Sequence, residues 1–278
     1  MLRAHVPGLF FLLSAMALPA AALPAQNLSP NDLVRKVVEH ELDAQKNDHS
    51  LWMYKDVVNL PGPAKEKVVV QTHQGELTYL EQVDGRPLTP DQKMAERQRI
   101  HDFVSDASAQ RKAQQASRSD DQKSTQLFSI LPDAFVFQFA ERNGDNTKLT
   151  FHPNPNFRSH SMEAYVFHKM DGFLIVNTRE YRLVELSGKL THGVQFFGGL
   201  LGHLDPGGTF DVRMTEVAPS IWNIARMKVN MRGKALFFKT IGDQEDETRS
   251  DFHPVPQGTT LSEAEQMLLK QPGGKRSG

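Results

Sequence analysis

The chain carries eleven histidines, and imidazole is the side chain best suited to hold a metal or move a proton near neutral pH. His152, His160 and His168 fall on neighbouring strand candidates where they could converge, as could His192 and His203. Paired carboxylates at ligand spacing do not accompany them, so no metal is expected. His40-Glu41 opens like the helical HExxH of zinc proteases, but Ala44 stands where the second histidine belongs, and the pair reads as a solvated helix edge. The acidic run Asp243, Glu245, Asp246, Glu247 and Asp251 lacks the alternation and glycine of a calcium loop and reads as a solvated hairpin connection. A GxSxG elbow, a Walker loop and a GxGxxG turn are all missing. Gly198, Gly199 and Gly202 lack the strand-to-helix context of a phosphate cradle and read as turn or bulge glycines. The expectation is a protein that is not an enzyme and needs no cofactor.

The remaining chemistry is apolar. Phe135, Phe137 and Phe139 alternate along one strand face, Tyr165 and Phe167 repeat the spacing, and Phe173 and Ile175 continue it. A curved sheet with such rows on its inner face can leave a cavity for acyl chains, whose burial gains about 0.8 kcal/mol per methylene. These seven residues are the expected cavity wall, with Leu127, Phe128 and Leu131 as an apolar lid. A fully packed core fits the same rows, and a one-residue slip in register would turn every side chain to the other face.

The elements that must position these residues are mostly strands. Ser29-Pro30-Asn31-Asp32 caps a helix whose Leu33, Val34, Val37, Val38 and Leu42 form one apolar stripe. Strands are expected at Leu51 to Asn59, Lys65 to Thr72 and Glu76 to Val83, with Trp52, Tyr54 and Val58 sharing a core-facing parity. Thr89-Pro90-Asp91-Gln92 is a capping box opening a helical insertion, 89–132. From Ser105 to Gln126 that insertion is nearly all polar or alanine, so a helix fraying into a mobile linker is expected. Phe173 to Val217 alternates through short turn clusters at Ser187-Gly188 and Asp205-Pro206-Gly207-Gly208, as an antiparallel meander does. Trp222 to Asn230 and Lys234 to Ile241 make a last hairpin, and Ser262 to Lys270 a short helix. The expected fold is α+β: one strongly curved antiparallel sheet, a half-open barrel of about ten strands, covered by helices.

Composition limits the partners. In 278 residues, 32 basic and 33 acidic side chains nearly cancel, which leaves no electrostatic footprint for nucleic acid. Residues 1–25 read as a secretory signal peptide: Arg3, an apolar core from Val6 to Leu18, Pro19 and a small-residue run, with cleavage after Ala22 or Ala25. No later stretch reaches the roughly 18 apolar residues of a membrane span. Cysteine is absent, which excludes a disulfide framework and a cysteine-linked lipid anchor. Export to the periplasm is therefore expected, with residues 26–272 as one domain and 273–278 as a loose tail.

The order of these elements resembles the periplasmic lipoprotein-carrier (LolA-like) superfamily, whose fold the lipid-binding part of RseB-type stress regulators shares. The likeness is carried by SPNDLVRKVVEHEL after the signal, VDGRPLTPDQ before the helical interruption, and EYRLVELSGKL, FGGLLGHLDPGGTFDVRM and ALFFKT in the meander. It implies a half-open barrel that receives acyl chains of a lipid or lipoprotein without catalysis. The long insertion departs from the carriers. An envelope interaction or stress-sensing module with an envelope protein as partner is the alternative.

Overall fold

A computed structural model describes residues 28–59, 62–196, 202–235 and 244–270. The signal-like segment, the tail, Gly198, Gly199 and the stretch 236–243 lie outside the described residues.

The first helix, α1 (Pro30–Asn47), begins as its cap predicts: the Ser29 side chain accepts from the Asp32 amide, and Pro30 stands in the first turn. Its stripe of Leu33, Val34, Val37 and Val38 is buried. Strands β1 (Leu51–Val58), β2 (Lys65–Thr72), β3 (Gly75–Val83) and β4 (Arg86–Pro87) follow as hairpins. Asp84 and Gly85 take the positive φ values of the tight turn expected there. The insertion is three helices: α2 (Pro90–Ser105), α3 (Ala107–Ser129) and α4 (Leu131–Ala134). Thr89 and Gln92 form the reciprocal capping box. The linker expected from Ser105 to Gln126 is instead helix, started by the Asp106 carboxylate, which accepts from the Ser108 and Ala109 amides at 2.8 and 3.0 Å. Its alanine, glutamine, lysine and arginine content favours helix without any buried stripe, and no residue of α3 is buried.

Next come β5 (Phe135–Asn143), β6 (Asn146–Pro153), α5 (Met162–Phe167), β7 (Met170–Asn177), β8 (Arg182–Leu190), β9 (Val194–Phe196), β10 (Gly202–Leu204), β11 (Thr209–Ala218), β12 (Ile221–Asn230), β13 (Gly233–Ala235), β14 (Gln244–Val255) and α6 (Leu261–Lys270). Among the described residues eleven strands form one antiparallel sheet in the order β4-β3-β2-β1-β14-β12-β11-β8-β7-β6-β5, and β13-β10-β9 form a second, small one. The large sheet is curved and covered by helices, and it stays open, with β4 and β5 as its edges. Asp243 lies outside the described residues, but from Glu245 on the acidic run read as a hairpin connection belongs to β14, an interior strand paired with both β1 and β12. Its charges are accommodated by neighbours: Asp246 meets Arg226 and Lys228 at 3.4 and 3.2 Å.

Following the register from β1 to β5 defines an inner face. Tyr54, Asp56 and Val58 on β1 share it with Glu247 on β14, Met227 on β12, Val212 on β11, Leu186 on β8, Leu174 on β7 and Leu149 on β6. Helix α1 packs on the β5 to β8 end, where Leu33, Val37, Phe135, Phe137, Phe151 and Leu174 share one core. On the outer face, α2 and α6 pack against β2 and β3 through Ile100, Leu261, Leu268, Val68, Val70 and Leu77. Gly172 and Gly188 stand opposite each other on β7 and β8. A Cβ on Gly172 would fall 2.7 Å from the Phe151 ring, and one on Gly188 would meet Phe210, so glycine is what lets both rings reach the sheet.

Candidate functional site

Helix α3 lies over the inner face, and residues of both line one cavity. It is tied down at one end by Gln114, whose side chain donates to the Gln74 carbonyl at 2.6 Å, and further on by Thr125, which donates to Gln45 of α1 at 3.4 Å. From Asp120 onward, Asp120, Lys123, Ser124, Leu127 and Phe128 recur at helical spacing on one side of α3 and face a cavity of about 390 Å³. Leu127 and Phe128 stay half-buried because they face that space.

The floor is apolar. Leu186, Val212, Met227 and Val229 supply it from β8, β11 and β12, with Phe210 beside them. Val166 and Phe167 of α5 and Met170 of β7 make one side, and Leu204 and Met231, at the small sheet, close one end. The volume lies in the range of about 300–1,000 Å³ common to small-molecule sites.

Beyond β12 the inner face changes character. Glu245 of β14 lines the cavity, and Glu247 and Asp56 lie buried past it. Arg249 is hydrogen-bonded to Glu247 and lies 5.3 Å from the Tyr54 ring centre. Lys67 stands 3.6 Å from one oxygen of Asp56, while the other oxygen is buried with no hydrogen-bond partner. Burial, and secondarily Glu247, pushes the Asp56 carboxyl up to about 6. Burial, then Glu76, pushes the Tyr54 hydroxyl up.

The residues expected to form the wall scatter over four environments. Phe135 and Phe137 are buried in the α1 core, where Phe135 meets Phe137, Phe151 and Phe167 at ring separations of 6.3, 4.6 and 5.1 Å. Phe139 is 52% exposed, because a bulge between Phe139 and Glu141 turns the free edge strand at that point. Tyr165 and Phe167 belong to helix α5, not to a strand: Tyr165 faces outward beneath the Lys169 ammonium, 5.2 Å from its ring centre, and Phe167 faces the cavity. Phe173 and Ile175 lie on the outer face, since Leu174 and Val176 are the buried members of β7, and Lys148 sits 4.1 Å from the Phe173 ring centre. Of the expected lid, Leu127 and Phe128 line the cavity, whereas Leu131 is buried in the α1 core. The floor from β8, β11 and β12 went unassigned in the sequence, although Phe210 and Val212 alternate there in plain view.

The histidines do not gather. His168 lies 2.8 Å from the Asn154 carbonyl and packs against Phe135 and Phe157, while His152 and His160 are exposed. His203 pairs with Asp205 at 3.6 Å. Among the described residues no group of three or more His, Cys, Asp or Glu side chains could hold a metal ion. His40 is exposed, but Glu41 is drawn into an ion pair with Arg182 and is no solvated edge.

No family model matches the chain, and no curated protein or solved structure matches it. Among the described residues no helix is long and apolar enough to cross a membrane.

Proposed function

We propose that this protein is a non-enzymatic periplasmic binding or carrier protein that holds an acyl chain of a lipid or lipoprotein between α3 and the inner face of the sheet. The observation that carries the reading is the apolar cavity of about 390 Å³ beneath a helix none of whose residues is buried. A packed core leaves few voids larger than a water molecule, so a space of this size lined by Leu, Val, Met and Phe favours a guest. Each methylene placed there gains about 0.8 kcal/mol. The signal-like N-terminus and the likeness in element order to LolA-like carriers support the same reading.

The edge of β5 beyond Phe137, where Asn31 no longer covers it, and the exposed Phe139 favour the envelope interaction module as a second reading, in which a partner protein adds to that edge. Native mass spectrometry of gently purified protein separates the two. A bound or exchangeable lipid supports the carrier. A chain that neither retains lipid nor accepts an uncharged fluorescent acyl probe rejects it.

A further inference from the structure

We propose that the cavity takes acyl ligands whose head group is a positively charged amine, held at the cavity mouth by Asp120, Glu163 and Glu245. The inference rests on the acyl-binding reading above and names the ligand class within it.

Three elements bring their polar residues to this cavity: α3 supplies Asp120, Lys123 and Ser124, α5 supplies Glu163 from its first turn, and β14 supplies Glu245. Among the described residues three carboxylates and one ammonium thus line the cavity, and Lys123 lies 4.0 Å from Asp120 on its own helix. These groups are exposed or half-buried, whereas the floor residues are apolar, so a guest enters with its chain inward and its head among the acids.

Behind the mouth the charges balance, so the negative excess lies at the mouth itself. Glu247 and Asp56 lie on the same inner face as Glu245, both buried, against Arg249 and Lys67. Burial and then Glu247 push the Glu245 carboxyl up, and burial and then Glu76 push Asp121 of α3 up. Both shifts have the sign that negative charge crowded into a partly desolvated space produces. A fatty carboxylate would add a like charge there, whereas an ammonium supplies donors to acceptors already in place.

The test is calorimetric titration of the whole protein at low ionic strength with three probes of one chain length: dodecylamine, dodecanol and dodecanoate, each below its micelle concentration. Dodecylamine is expected to bind about tenfold or more tighter than dodecanoate, with dodecanol between them. Glu163→Gln combined with Glu245→Gln is expected to remove most of the amine's advantage and leave dodecanol affinity unchanged. Asp120→Asn, on the exposed face of α3, provides the same readout should the pair of changes disturb the fold. Dodecanoate binding as tightly as dodecylamine, or an amine preference untouched by these changes, overturns the inference and leaves the acyl-chain reading standing. Failure of all three probes to bind overturns both.

Discussion

Arg182 grips Glu41 with two parallel hydrogen bonds, Nε to Oε1 and Nη2 to Oε2, each 2.9 Å long. Glu41 Oε1 also accepts from the Leu183 amide at 2.6 Å, and Arg182 Nη1 donates to the Ser220 carbonyl at 3.0 Å. The pair joins α1 to β8 and to the turn between β11 and β12. Arg182→Ala leaves a half-buried carboxylate without its cation, and a loss of about 3 kcal/mol is expected in urea unfolding. Glu41→Gln, which keeps the shape and a hydrogen-bonding side chain, is expected to lose less.

Asn31 fastens α1 to the edge strand. Its side-chain nitrogen donates to the Pro132 and Phe135 carbonyls, each at 3.0 Å, and its oxygen accepts from the Phe137 amide at 3.1 Å. Asn31→Ala is expected to cost about 1–3 kcal/mol by leaving these backbone groups unpaired. Hydrogen exchange at the Phe137 amide should quicken more than at interior strands.

Filling the cavity should abolish its use without unfolding the protein. Val212→Trp places an indole on the floor of β11, into space and not into a neighbour. The expected result is about a tenfold or greater rise in Kd for a fluorescent fatty acid, equivalent to about 1.4 kcal/mol, with an unchanged circular dichroism spectrum.

Asp56 gives a pH signature of defined sign. Its carboxyl is pushed up to about 6 in the fold, chiefly by burial, against about 3.9 when unfolded. The folded state therefore holds the proton more tightly, and this group's contribution falls as pH rises from about 4 through about 6. Asp56→Asn lacks that loss, so relative to the parent it should gain on the order of 1–2 kcal/mol across the window, once solvent screening is allowed for. Denaturant unfolding at a series of pH values reads the difference; a gap that narrows with rising pH refutes it.

The glycine pair predicts a contrast between two substitutions. Gly172→Ala drives a methyl against the Ser187 carbonyl and to 2.9 Å from the Gly188 Cα, both backbone. It should cost about 1–3 kcal/mol. Gly258→Ala, with nothing within 4 Å, should change stability by less than about 0.5 kcal/mol in the same assay.

Most strands were legible because alternation is a strong signal when one face is buried: Trp52, Tyr54 and Val58 are all buried on the inner face, as their parity predicts. Parity names two faces without saying which is inside, and so Phe173 and Ile175 were expected on the wrong one. Tyr165 and Phe167 look like strand residues because a helix as short as α5 has no room to show its period. Strand β14 was hidden for a different reason. Glu245, Glu247 and Arg249 occupy its inner positions, and hydrophobic patterning is blind to a strand whose inward side chains are charged. The cavity was legible only in kind. That apolar rows existed could be read, but which rows would be left unfilled depends on how α3 lies over the sheet, a matter of where Gln114 and Thr125 are tied.

The position of β14 also bears on how the molecule is made. Strand β1 ends at Val58, and its partner in the middle of the sheet does not begin until Gln244. In a chain that emerges from its N-terminus, β1 therefore comes out well before that partner. During this interval β1 and β12 both present open edges, one on each half-sheet, and each is a template for pairing with the wrong strand. The arrival of β14 turns two unfinished sheets into one.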